Sequence, residues 1–123
     1  RSSAASDVYK RQEKTMIPSV KVSADKNPDY STSSGKATQD RLFLLSVKEM
    51  NKYLSSNSKR RCKSTDYAVA NGAKGNYCSW WLRSPGAYQS YATEVFSTGE
   101  IYTKGGGVGA IGAVRPAMWI SLA

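Results

Sequence analysis

The stretch RLFLLSVKEMNKYL, residues 41–54, decides the fold class. Arg41–Leu45 is a short apolar run directly before a helix start, which predicts a strand buried on both faces. Ser46-Val47-Lys48-Glu49 then has the spacing of a capping box. The Ser46 hydroxyl can accept from the Glu49 amide, and the Glu49 carboxylate can reach back to the Ser46 amide. Leu45 and Met50 flank it at the staple positions. Val47, Met50, Tyr53 and Leu54 recur at helical spacing and predict a main helix over about residues 47–55, ended by Ser-Ser-Asn-Ser. Strand, helix and then several strands make a mixed α+β domain.

Downstream, Thr65 is a second N-cap, with Asp66 favoured in the first turn by the helix dipole. It predicts a short helix over about residues 66–71, stopped by Asn71-Gly72. Ser79–Ser84 (SWWLRS) reads as a strand closed by Pro85-Gly86. Tyr91–Ser97 and Glu100–Lys104 read as a hairpin around Thr98-Gly99. Gly105–Gly107 opens a flexible loop, and Val114–Leu122 (VRPAMWISL) is a last strand. Pro116 cannot donate to a ladder and demands an edge or a bulge there. Upstream, Ile17, Val20 and Val22 alternate as in an edge strand, and residues 25–35 are turn-rich.

Arg1–Gln12 (RSSAASDVYKRQ) has neither apolar period nor turn logic. It looks like a translated sequencing adaptor, and the plain alternative is a disordered tail. Residues 13–123 are then the C-terminal part of one domain whose true N-terminus is missing. The 123-residue chain suits one domain only. Its charge of +9 falls to +7 without the first twelve residues. It contains no histidine, which removes Ser-His-Asp and Cys-His catalysis and His-ligated metals. Two cysteines cannot supply a structural zinc site. The residues call for no metal and no cofactor, and the hydrophobic runs are too short to cross a membrane.

Arg83 and Arg115 sit within apolar segments, where an isolated charge is costly. The structural reading ties each to carboxylates or carbonyls, with Asp66 and Glu94 as candidate partners of the two arginines. The functional reading makes them anion contacts. Of Trp80 and Trp81, one must face the core; the outward one packs under a loop, with carbohydrate stacking on its ring as the alternative. Trp119 joins them as a structural aromatic. Cys62 and Cys78 are either a disulfide or two free thiols. Lys59-Arg60-Arg61-Cys62-Lys63 invites a nucleic-acid reading, but the other basic residues are scattered and no nucleic-acid motif is present. A solvated basic face is the plainer account. Tyr88–Gly109 is rich in Tyr, Ser, Thr and Gly, the residues of adaptable recognition surfaces and equally of ordinary turns. Tyr88, Tyr91, Thr93, Tyr102 and Lys104 are its candidate ligand contacts.

Four ordered segments carry a family resemblance: Thr38–Leu54, Ser64–Ala73 (STDYAVANGA), Cys78–Gly86 (CSWWLRSPG) and Gly112–Leu122 (GAVRPAMWISL). Together they resemble a bacterial domain of unknown function related to the C-type-lectin-like fold of sulfatase-modifying-factor proteins. The resemblance implies a twisted antiparallel sheet with long irregular loops that display a binding surface. It also implies a place outside the cell or on its surface. Formylglycine-generating relatives oxidise a substrate cysteine with a cysteine pair. Here the terminal segment has no cysteine, and neither Cys62 nor Cys78 stands at the matching place. The expected function is a non-catalytic ligand-binding or scaffold module for a protein or carbohydrate partner. The alternatives are a remnant of a sulfatase-modifying-factor-type enzyme and a basic nucleic-acid binder.

Overall fold

The computed structural model describes residues 16–122; the adaptor-like reading of residues 1–12 lies outside them. The elements are short. In chain order they are β1 (Val20–Val22), β2 (Thr38–Asp40), α1 (Val47–Tyr53), α2 (Asn57–Arg60), β3 (Cys62–Lys63) and α3 (Asp66–Ala70). β4 (Tyr77–Cys78), β5 (Trp80–Pro85), β6 (Tyr91–Val95) and β7 (Ile101–Gly107) follow. All strand pairs are antiparallel and form three small sheets, β1-β2, β3-β4 and β5-β6-β7. The domain is therefore a mixed α+β fold in which helices and irregular segments cover one face of the three-stranded sheet.

Local signals built the helices as expected. The Ser46 capping box is present in both directions, and α1 buries Val47 and Met50. Thr65 caps α3 by accepting from the Ala68 amide. The core joins α1 to the sheet through Val47, Met50, Trp80, Leu82 and Val95, with Leu45, Leu54 and Ile101 packed around them.

Four expectations are corrected. Arg41–Leu45 is not a strand: only Phe43 bridges, to Ala117. Its carbonyls have other partners, since Arg83 takes Leu45 O with its amide (2.9 Å) and Leu44 O with its guanidinium (2.8 Å). Residues 55–58 do not simply end α1, because Ser56 accepts from the Lys59 amide and caps α2. The Arg60 Nε–H then donates to Leu54 O at the end of α1, at 2.7 Å. Gly105–Gly107 is the end of β7 rather than a flexible loop. Val114–Leu122 forms no strand; Ala113 bridges Trp80 and Ala117 bridges Phe43, with Pro116, which lacks an N–H, beside the second contact.

Both outer strands of the main sheet bulge around Thr93. Trp81 pairs with Glu94 and Pro85 with Ala92, while on the other side Tyr102 pairs with Glu94 and Gly106 with Ala92. The displaced carbonyls would be orphans without help from the turn-rich segment. Buried Asn27 donates to Pro85 O (2.8 Å) and Thr103 O (2.7 Å). Its own carbonyl oxygen accepts from the Asp29 and Tyr30 amides. One side chain thus holds the turn and satisfies both bulges.

Candidate functional site

The unbulged strand β6 sorts the candidate residues. Side chains alternate along a strand, so Thr93 and Val95 face the core while Ala92 and Glu94 face away. Thr93 is fully buried, and its hydroxyl donates to Ser84 O at 2.9 Å. It is a core residue, not a ligand contact. Tyr91 shares its parity and packs edge-on against exposed Tyr88, with centroids 5.1 Å apart. Tyr102 lies on the other face, stacked on Phe96 at 4.8 Å. Lys104 is exposed. The Tyr88–Gly109 region is therefore two surfaces, with Tyr88 and Tyr91 on one and Tyr102 on the other.

The outward face is the more distinctive one. Glu94 stands at its centre, directly opposite Trp81 on one side and Tyr102 on the other. Opposed residues share a face with Cβ atoms about 5 Å apart. Glu94 is half-buried, yet among the described residues it has neither an ion pair nor a hydrogen bond. Burial pushes its carboxyl above the ordinary glutamate value. Trp81 lies between two glycines. A Cβ at Gly106 would sit 3.6 Å from its ring, and one at Gly112 would overlap the ring, 2.6 Å from Cε2. Sequence reasoning named Glu94 only as a candidate arginine partner and missed Phe96.

Arg83 instead joins Asp25 (3.3 Å) and Glu49. It also donates to Ser23 O at 3.1 Å and to Leu44 O. The candidate partners Asp66 and Glu94 are not used. This knot ties the turn segment, the apolar run and the N-terminus of α1 to β5. Burial alone would raise the Asp25 carboxyl, but the hydroxyls of Ser46 and Ser23 and the guanidinium of Arg83 hold it below its ordinary value. A depressed acid contributes stability above its unfolded value, near 3.8, and loses it as pH falls through the lower folded value. Denaturant melts between about pH 5 and pH 2.5 should therefore show a steeper acid loss for the wild type than for Asp25→Asn. Equal slopes would remove Asp25 from the acid response. A groove of about 540 Å³ adjoins this knot, lined by Asp25, Lys26, Lys48 and Asn51 among others.

The remaining structural candidates divide. Trp80 is the inward tryptophan, and its indole donates to Arg60 O at 3.0 Å. Arg115 lies 5.0 Å over the Trp80 ring and reaches the same carbonyl at 3.5 Å, with no carboxylate partner among the described residues. Trp119 is half exposed and meets Tyr53 edge-on at 6.1 Å, so it is no part of the core. Cys62 and Cys78 are directly opposed in β3 and β4 and are free thiols. Burial raises the Cys62 thiol, which disfavours a reactive thiolate.

The basic cluster is partly spent internally. Arg60 braces α1, and Arg61 lies 3.7 Å over the Tyr77 ring. No cluster of His, Cys, Asp or Glu among the described residues could hold a metal ion. No helix among them is long and apolar enough to cross a membrane.

No curated protein and no solved structure matches the chain. A family model does, over residues 4–122, and its description is a domain of unknown function, DUF6273. The chain belongs to that family.

Proposed function

We propose that this domain is a non-catalytic binding module whose contact surface is the outward face of the β5-β6-β7 sheet. Trp81, Glu94, Phe96 and Tyr102 are its contact residues; Gly106 leaves the approach beside Glu94 open, while the Gly112 backbone packs against the Trp81 indole. The observation that carries this reading is the half-buried Glu94 carboxylate, which has no partner among the described residues and stands between aromatic side chains. Its carboxylate is still open to solvent, and a partly desolvated charge without a partner is one that a ligand can complete. The resemblance to lectin-like domains supports the same reading, because such domains present ligands to a sheet and its loops. A cell-surface setting belongs to that part of the proposal.

The test is a fragment screen on the ¹⁵N-labelled chain with a mixed set of sugars, amines and short peptides. Hits should move the Trp81 indole N–H and the amides of Glu94 and Tyr102 together. Hits confined to the groove beside Asp25 and Lys48 would overturn the assignment of the surface. So would a set in which nothing binds.

A further inference from the structure

We propose that Glu94 and the rings beside it form a binding site for an alkylammonium cation. The inference rests on the binding-module reading and adds the chemistry of the ligand. Its starting point is charge. Among the described residues every other acid is ion-paired, hydrogen-bonded or exposed. Glu94 alone is half-buried with none of these, in a chain of net charge +9. The chain has cations in excess, and none among the described residues pairs with this carboxylate.

The neighbours suit a soft cation. Trp81 and Tyr102 stand on either side of Glu94, and Phe96 extends the aromatic surface by stacking on Tyr102. Aromatic faces attract ammonium groups through the ring quadrupole, Trp most strongly, and the attraction grows with desolvation. Gly106 keeps the approach open: a Cβ there would lie 3.5 Å from the Glu94 carboxylate and a longer side chain would cover it. A neutral sugar could stack on the same rings. It would leave the carboxylate's charge uncompensated, whereas an ammonium group removes that cost directly. Glu94's upward-shifted carboxyl is consistent with this. Its folded value lies above its unfolded one, so the ionised form opposes folding at neutral pH and the penalty is relieved as pH falls through the folded value.

The test titrates the full chain with choline chloride and with n-butylammonium chloride, against sodium chloride at matched ionic strength. The Trp81 indole N–H and the Glu94 and Tyr102 amides are followed by NMR. One of the amines should produce saturable shifts; tighter choline binding assigns a quaternary headgroup, and tighter butylammonium binding assigns a lysine-type side chain. Glu94→Gln should weaken the binding at least about tenfold, the equivalent of one pKa unit of differential interaction. It should do so with a melting temperature equal to or above that of the wild type. Gly106→Leu should block binding while Glu94 remains. Methyl glucoside serves as the neutral arm. If it saturates the same resonances and Glu94→Gln does not change it, the surface binds ligands but the ammonium inference is overturned. If no probe saturates, the inference and the binding-surface reading both fall.

Discussion

Arg83→Ala should cost the domain about 3 kcal/mol or more, the usual penalty for stranding the partners of a buried ion pair. For a domain of this size that is a drop in melting temperature of roughly 10 °C. The side chain is only 17% exposed and contacts two carboxylates, so solvent screening does little to dilute the effect. Three losses add. Asp25 and Glu49 are left as two anions facing one another's vicinity with their cation gone. The carbonyls of Ser23 and Leu44 lose their donors. The aromatic face of Phe43, 5.8 Å from the guanidinium, is uncovered. Arg83→Lys should recover less than half of the loss, because one ammonium cannot reproduce a planar fork serving several acceptors. Thermal unfolding followed by circular dichroism decides it. An alanine variant that melts within a degree of the wild type would show the knot to be ornamental.

That knot marks the limit of what the sequence could reveal. An arginine inside WWLRSP must have partners, and burial cost alone says so. Which partners it has is a long-range fact: Asp25 and Glu49 lie 58 and 34 positions away. No local pattern points to them, and Asp66 and Glu94 were equally plausible. Signals confined to one turn fared better. The Ser46-Glu49 box and the Thr65 cap are satisfied within four residues, so their sequence suffices. The alternation of Trp80 and Trp81 likewise needs only a strand's period.

Apolar runs misled where their backbone partners are irregular. Arg41–Leu45 and Val114–Leu122 look like strands, yet each contributes one isolated bridge, and they contribute it to each other. Glu94 was the hardest residue to see. A lone glutamate in YATEVF is ordinary for a strand with one wet face. Its lack of a partner among the described residues becomes visible only after Trp81 and Tyr102 are placed across from it. Tyr, Ser and Gly content drew attention to the hairpin region but could not separate its two faces. Thr93 therefore looked like a contact, although alternation puts it in the core.

Gly105→Ala should be as damaging as the loss of Arg83, about 3 kcal/mol, from two independent penalties. Gly105 has φ +76°, a conformation that strains any L side chain at a cost of about 1–2 kcal/mol. Its Cβ would also overlap the backbone of β6, 2.6 Å from the Ala92 carbonyl carbon and 3.1 Å from the Thr93 amide nitrogen. Backbone in a central strand cannot step aside, so β7 must, and overpacking of this kind adds about 1–3 kcal/mol. The consequence reaches the proposed site. Between Tyr102 and Gly106, β7 carries the extra residues of its bulge, and Gly105 is the last of them before the strand returns to register at Gly106. Displacing it shifts Gly106 away from Ala92 and alters the opening beside Glu94. Gly109→Ala supplies the control: no atom lies within 4 Å of its Cβ position and its φ is not in the left-handed region. That change should leave stability unaltered or raise it by about 0.5 kcal/mol, through the reduced freedom of the unfolded chain. Paired denaturant curves for the two variants, read at equal m-values, separate steric demand from mere glycine content. If both variants lose equal stability, Gly105 is not the pivot of the sheet. If only Gly105→Ala is destabilised, the glycine run that reads as a loose loop is instead the part of β7 least able to accept a side chain.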